Sequence, residues 1–270
     1  MITGTTAGAA GAPEHIEYLL RLGDSALILG QRLAEWCGHG PALEEDIALA
    51  NIALDLIGQA RLLLTHAGRL EGQGRDEDAL AFRREAPEFR NATLLELPNG
   101  GVASAGAAAG DYAITIVRNL FFSAYQCEQW QALSSSADPE LAAIAAKSLK
   151  EARYHLRHAA DWAIRLGDGT PASHARAQRA LDALWPYTHE LFETDRVEEA
   201  VAQRGIGVAS ASLRRGWLNT LHPIIAEATL QIPADTPFRS TGKLGRHGEH
   251  LGHLLVAMQW LHRQYPGASW

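Results

Sequence analysis

The strongest constraint on the fold is the order in which short and long connections join segments of helical periodicity. Hydrophobic residues recur at helical spacing over about 13–36 and 43–66, and the short turn CGHGP joins these two segments. A long stretch over about 70–110, rich in Gly, Asp, Glu and Pro, follows without a predicted helix. Two more long segments, about 111–133 and 139–166, are joined by SSSADPE. The sequence therefore predicts two helical hairpins separated by one long connection.

A four-helix bundle with a single long crossover is the ferritin-like arrangement. We expect an all-α fold of this kind, because no stretch alternates as a strand. The predicted organisation is a disordered leader and a single helical domain, with shorter helices after the bundle: 1–13 for the leader, 14–270 for the domain, 14–166 for the core bundle, and helices over about 172–185, 195–203, 213–230 and 243–264.

Composition excludes several classes of function. The chain has 270 residues and a net charge of −7 without a basic run, so we expect no nucleic-acid groove. No uncharged apolar run approaches the roughly 20 residues that span a bilayer, so no membrane segment is predicted. Cys37 and Cys127 are the two cysteines. They form neither a disulfide framework nor a thiolate metal site, and a reducing cytoplasm is expected.

A ferritin-like bundle raises the question of a di-iron site. Such sites use Glu-x-x-His on two helices and one Glu from each of the other two. The chain has twelve histidines, and the residue three positions before each of them is neither Glu nor Asp. An ordinary di-iron site therefore cannot be assembled from this sequence.

The nearest matches to the ligand pattern lie in DLIGQA and KEARYHLRHAADW. His155 is present, but Ala152 stands where its glutamate would be. Gln59 replaces the other histidine, and Leu56 replaces that histidine's glutamate. The positions that would face metal are therefore degenerate. No catalytic, cofactor-binding or metal-ligating residue is predicted among them.

Polar residues remain at this level of the bundle and need partners. Asp55 and Glu151 precede Gln59 and His155 by four residues, so they could bond to those residues or to nearby Arg and Lys. Asn51 and Arg61 extend the polar ladder of the second helix. A buried network must satisfy itself, because each orphaned group costs about 1–3 kcal/mol. We expect a hydrogen-bonded plug, and a non-standard or single-metal site is the alternative.

A second histidine group lies near the end of the sequence. HGEHLGH spaces His247, His250 and His253 three apart at the start of the predicted last helix, and three imidazoles on one stripe could bind zinc. The stripe begins at a helix terminus and drifts around the helix, which favours adventitious over physiological binding.

Four stretches carry a resemblance to a known family. The chain resembles the non-catalytic C subunits of bacterial multicomponent phenylacetyl-CoA epoxidases, also called phenylacetate-CoA oxygenases. The stretches are YLLRLGDSALILGQRLAEWCGHGPALEEDIALANIALDLIGQAR, LPNGGVASAGAAAGDYAITIVRNLFF, KEARYHLRHAADWAIRLGDGT and GRHGEHLGHLLVAMQWLHRQYPGASW. They cover most of residues 18–270. The Gly/Ala-rich loop 99–110 looks like a local expansion, and nothing is carried over to it.

The resemblance implies a scaffold without its own iron. It would pair with a catalytic A subunit holding the di-iron centre, and these heterodimers would associate further. A small B subunit and a reductase with FAD and an iron–sulfur cluster, fed by NADPH, would complete the complex. This chain alone would be inactive, and its first two long helices are the candidate contact surface. The alternatives are an autonomous oxygenase with an atypical metal set and an acyl-CoA binding protein.

Overall fold

The computed structural model describes residues 11–101 and 110–268. These residues form ten α-helices and short 3₁₀ turns, with no strand among them, so the prediction of an all-α ferritin-like fold is confirmed. The helices are α1 Pro13–Ala34, α2 Leu43–Glu71, α3 Glu77–Phe82, α4 Thr93–Glu96, α5 Tyr112–Leu133, α6 Pro139–Gly167, α7 Pro171–Leu184, α8 Arg196–Gln203, α9 Arg214–Glu227 and α10 Glu249–Gln264. In the bundle, α1 pairs with α2, α5 pairs with α6, and the two hairpins meet through α2 and α6.

Helix α2 is longer than the sequence predicts. The prediction ended it near His66 with Gly68 as the stop, but it continues to Glu71 and ends at Gly72, whose φ is +69°. Gly68 stays inside the helix because the backbone of Arg75 passes close by: a Cβ at Gly68 would lie 2.1 Å from the Arg75 carbonyl oxygen. That glycine is required for close approach, whereas Gly72 supplies the left-handed cap.

The long crossover contains helices that the sequence analysis did not predict. Two short helices, α3 and α4, and a 3₁₀ turn over Ala86–Glu88 lie between the two hairpins. Asp76 caps α3 by accepting a hydrogen bond from the Ala79 amide at 2.8 Å. Leu94 and Leu95 of α4 are fully buried. Helices this short are marginal on their own, so their formation depends on the packing of these side chains.

The C-terminal helices wrap the bundle instead of adding to it. Helices α7 and α9 pack on α5 and α6, α8 packs on α1, and α10 packs on the crossover helices α3 and α4. Two predicted bounds are wrong here: α9 ends at Glu227 instead of about 230, and α10 begins at Glu249 instead of 243. Thr229, with φ of +58°, turns the chain out of the helix after α9.

The buried carboxylate of Glu190 connects the C-terminal part of the chain to the crossover. Glu190 accepts hydrogen bonds from the backbone amides of Thr93 and Lys243, at 3.0 and 2.7 Å, and from the Ser240 hydroxyl at 2.6 Å. Since this one carboxylate contacts two other segments, the start of α4 and residues 240–243, its loss would remove the hydrogen bonds to both at once. The sequence analysis did not predict this role for Glu190.

The structure describes only part of the predicted leader, of the Gly/Ala-rich loop and of the C-terminal end. Residues 1–10 of the predicted leader, 102–109 of the loop and 269–270 lie outside the described residues. The backbone amide of Gly11 donates to the Leu70 carbonyl at 2.8 Å, and α1 begins at Pro13. Residues 11–13 therefore contact the bundle, and the predicted leader 1–13 is too long at its C-terminal end.

Candidate functional site

The polar residues of α2 and α6 meet as pairs that cross between the two helices. Gln59 Nε2 donates to Glu151 Oε2 at 2.9 Å, and His155 Nε2 lies 3.0 Å from Asp55 Oδ2. Asp55 and Glu151 thus bond to His155 and Gln59, two of the partners that the sequence analysis considered for them. Because the helices run antiparallel, each polar residue finds its partner across the seam, and we call this row of pairs the α2–α6 seam.

Gln59 occupies the centre of the α2–α6 seam. Its side chain is buried, and besides donating to Glu151 it accepts a hydrogen bond from Gln126 Nε2 of α5 at 3.2 Å. The sequence analysis missed Gln126. An amide inside the apolar run LFFSAYQCEQW was the available signal, because a polar residue in a helix that is apolar on every side needs a buried partner.

His155 is almost fully buried. Burial lowers the pKa of His155, and the nearby Asp55 offsets this only in part. Asp55 itself is 40% exposed, and Glu151 also contacts Lys147, whose Nζ lies 3.3 Å from Glu151 Oε1. Both carboxylates of the seam therefore already have partners, Asp55 in His155 and Glu151 in Gln59 and Lys147.

The donors at the α2–α6 seam do not fit a di-iron centre. Two irons in this fold use four carboxylates and two histidines. Leu56 and Ala152, which occupy two carboxylate positions, are buried and carry no donor atom. Within residues 11–101 and 110–268, no set of three ligand atoms of the metal-binding kind gathers around Gln59 and His155. We therefore derive no chemistry through iron in this chain.

Asn51 and Arg61 do not belong to the polar network. Both are exposed on α2, and the Arg61 side chain, 76% exposed, faces Glu77 of the crossover. The predicted polar ladder is thus two separate sets. Asp55 and Gln59 face α6, whereas Asn51 and Arg61 face solvent.

A further pair, which the sequence analysis did not predict, lies nearer the start of α2. Glu45 Oε2 accepts a hydrogen bond from the Tyr112 hydroxyl at 2.6 Å and pairs with His158 Nε2 at 2.8 Å. Burial raises the pKa of Glu45, but the hydrogen bonds from Tyr112 and His158 outweigh burial and leave this pKa below its ordinary value. The ionised carboxylate ties the start of α2 to both α5 and α6.

The three C-terminal histidines do not form one stripe. His247 precedes α10, and its Nδ1 lies 2.7 Å from the buried Glu96 carboxylate while its Nε2 contacts the Phe89 carbonyl at 3.0 Å. His253 is exposed, and His250 is half-buried. The expectation that they share a helix face is wrong, because the helix starts later than predicted.

One face of α2 is exposed and apolar. Leu43, Ile47, Leu54 and Leu62 are 72%, 53%, 65% and 39% exposed, and we call them the α2 outer face. They lie at helical spacing over about 28 Å of helix. Gly58 sits among them, with no atom within 4 Å of the position a Cβ would take. An aligned apolar stripe of this length is typical of an interaction surface.

Helix α2 also has the length and composition of a membrane-crossing helix, a feature that α2 alone shows among the described helices. Its other face packs on α1 and α6, with Leu49, Leu56 and Leu63 buried in the bundle core. That packing is typical of the core helix of a folded bundle, so the buried face and the exposed α2 outer face together account for the apolar composition of α2.

Comparison with known proteins agrees with this architecture. The sequence profile described as phenylacetic acid catabolic protein matches residues 3–270. The chain is 48% identical over 253 residues to the C subunit of the 1,2-phenylacetyl-CoA epoxidase of Escherichia coli (strain K12), a match that covers 94% of this chain and 98% of that relative. A match along nearly the whole length, with an all-helical ferritin-like bundle, places this chain in the phenylacetic acid catabolic protein family.

Proposed function

We propose that this chain is a non-catalytic, structural subunit of a phenylacetyl-CoA epoxidase and that it stabilises the catalytic di-iron A subunit. The observation that carries the proposal is the α2–α6 seam. Gln59, Glu151, Asp55 and His155 use their polar atoms on one another, and Leu56 and Ala152 carry no donors. A bundle whose ligand level is filled in this way keeps its shape without metal, and a shape that persists without metal suits a scaffold.

The α2 outer face supports the partner half of the proposal. Obligate interfaces commonly bury 2,000 Å² or more and resemble a protein core cut in half. Four large apolar side chains aligned on one helix provide the apolar centre that such an interface needs, and Gly58 lets a partner helix approach closely. The catalytic A subunit is the occupant we propose for this face.

The remaining components follow from the resemblance to the relative named as part of an epoxidase. We propose that the di-iron centre lies in the A subunit, that a small B subunit belongs to the assembly, and that a reductase with FAD and an iron–sulfur cluster supplies electrons from NADPH. The complex would work in the cytoplasm. The two free cysteines support this proposal, because reducing compartments keep thiols unpaired.

Co-expression of this chain with the A subunit tests the proposal. We expect the two chains to purify together, iron to reside in the A subunit, and this chain alone to consume no oxygen with phenylacetyl-CoA and the reductase. Leu54→Lys on the α2 outer face is expected to abolish co-purification, since a charge in the apolar centre of an interface costs several kcal/mol.

Val256→Lys is the matched control, because Val256 is 70% exposed on α10, away from α2. It is expected to leave the complex intact. Unchanged assembly with Leu54→Lys would remove the α2 outer face from the proposal. Oxygen-dependent turnover by this chain alone, with stoichiometric iron, would overturn the non-catalytic function itself.

A further inference from the structure

Three buried side chains from three helices converge at one end of the bundle. His15 lies in the first turn of α1, His66 near the end of α2, and Asp138 caps the start of α6. Their side chains are only 8–9% exposed. His66 follows Gln59 by two helical turns, about 10 Å along the axis, so this group is separate from the centre of the α2–α6 seam.

The ligand atoms of these three residues point at one another. Asp138 Oδ2 lies 2.9 Å from His15 Nε2 and 2.6 Å from His66 Nε2, and one ligand atom from each residue falls within 4.8 Å of the others. His15 Nε2 nevertheless has no hydrogen-bond partner that meets the geometric criteria, although the carboxylate oxygen is close. Burying a ring nitrogen without a hydrogen bond costs about 1–3 kcal/mol of stability, so the placement of His15 Nε2 beside the carboxylate needs an explanation.

The carboxylate is arranged to serve two purposes. Asp138 Oδ1 accepts hydrogen bonds from the backbone amides of Glu140 and Leu141, at 2.9 and 3.1 Å, and so caps α6. This leaves Oδ2 for the two histidines. An anionic oxygen beside two imidazole nitrogens is a donor set for a divalent cation.

A second carboxylate stands behind His66. Glu140 Oε2 lies 3.2 Å from His66 Nδ1, the ring nitrogen that faces away from Asp138, and Glu140 also pairs with Arg69. Metal-binding histidines commonly have a carboxylate at their other ring nitrogen, which fixes the tautomer with the lone pair toward the metal. If Nδ1 carries the proton, the lone pair of His66 Nε2 faces Asp138 Oδ2 and needs a cation between them.

We propose that His15, His66 and Asp138 bind one first-row divalent cation of the zinc class, which ties the ends of α1, α2 and α6 together. Zinc ligands sit about 2.0–2.2 Å from the ion, so tetrahedral neighbours are about 3.3 Å apart. The present separations of 2.6 and 2.9 Å are hydrogen-bond lengths, and loading requires the ligands to move apart by roughly 0.5 Å. Water supplies the fourth position.

Zinc titration of the full-length chain, without an affinity tag and stripped with a chelator, tests the proposal. The background carries His250→Gln and His253→Gln, which remove two accessible histidines that could bind zinc elsewhere. We expect one zinc per chain in competition with a chromophoric chelator. His15→Gln is expected to weaken binding at least about 100-fold, because even the loss of an outer partner of a metal-bound histidine costs 10–100-fold.

His158→Gln is the matched control, since His158 is also a largely buried histidine paired with a carboxylate between α2 and α6. It is expected to leave zinc affinity unchanged. Equal affinity with and without His15, or no zinc bound by the background chain, would overturn the proposal and leave a shared imidazolium–carboxylate hydrogen bond as the explanation.

A second measurement covers the case in which His15→Gln fails to fold, as judged by circular dichroism. The background chain loaded with Co²⁺ is expected to show the visible absorption of a four-coordinate nitrogen- and oxygen-ligated ion. X-ray absorption of the zinc form should find two imidazoles. A six-coordinate aqueous spectrum, or a ligand shell without imidazole, would refute the site.

Discussion

A double-mutant cycle on Gln59 and Gln126 tests whether the α2–α6 seam satisfies its own polar groups. Both amides are buried, and Gln126 Nε2 donates to Gln59 Oε1 at 3.2 Å. Methionine has a similar length and adapts to irregular surroundings, so Gln59→Met and Gln126→Met each remove one partner and leave the other amide buried without it. Glu151 also loses a donor in Gln59→Met, but it keeps Lys147.

The expected magnitude follows from the burial of the amide that is left behind. Each single substitution orphans a buried amide at about 1–3 kcal/mol, and the double substitution removes both members, so that penalty disappears. The free energy gained by burying a more apolar side chain occurs both in each single variant and in the double variant, so it cancels in the cycle. Because the two penalties add in the cycle, we expect a coupling free energy of about 2–6 kcal/mol between the two positions.

Urea unfolding of the four proteins, monitored by circular dichroism, measures this coupling, and thermal unfolding should show the double variant melting several degrees above the sum of the single shifts. Gln131→Met is the control, because Gln131 is exposed on α5 and meets Arg153 at the surface. It should change stability by less than about 0.5 kcal/mol. Additive effects of Gln59→Met and Gln126→Met would mean that water reaches the seam and that its amides do not depend on each other.

Three further changes probe separate features. Asp24→Asn leaves Arg84 buried without its anion, since Asp24 is fully buried and Arg84 3% exposed, and should cost about 3–5 kcal/mol in urea unfolding. His247→Gln should destabilise the protein most at acidic pH. Burial lowers the pKa of His247, but Glu96 outweighs burial and raises this pKa above 6.5 in the folded protein. The stabilisation that protonated His247 provides is therefore full below pH 6.5 and is lost as the pH rises through the folded pKa. Equal destabilisation at pH 6 and pH 9 would contradict that pairing. Gly58→Ala lies at an open position in α2, so the higher helix propensity of Ala should increase the free energy of unfolding of the isolated chain by about 0.5–1 kcal/mol. The melting temperature should rise accordingly.

Helical periodicity could be predicted from the sequence, whereas the ends of α2 and α9 and the start of α10 could not. The caps of α5 and α6, Asp111 and Asp138, accept hydrogen bonds from their own first turns, and the connection lengths alone predicted the two hairpins. These features depend on residues within one turn of each other, so local chemistry determines them. The loss of di-iron ligands was equally a matter of spacing within single helices.

The sequence could not tell which polar residues pair across helices. Asp55 contacts His155, and Gln59 contacts Glu151 and Gln126, because the register between α2, α5 and α6 brings them together. That register depends on how side chains of separate helices pack, and no local pattern encodes it. The crossover helix α4 escaped prediction for the same reason, since its stability comes from buried contacts made elsewhere in the chain.

The sequence by itself determined an all-helical bundle with one long crossover and without the ligand pattern for two irons, since helical spacing and capping act over a few neighbouring residues. Only the tertiary structure decided that His15, His66 and Asp138 share one buried point and that four leucine and isoleucine side chains of α2 stay exposed. Residues separated by tens of positions become neighbours through packing. Because α2 is apolar on every side, the same packing also decides which of its faces stays exposed to solvent.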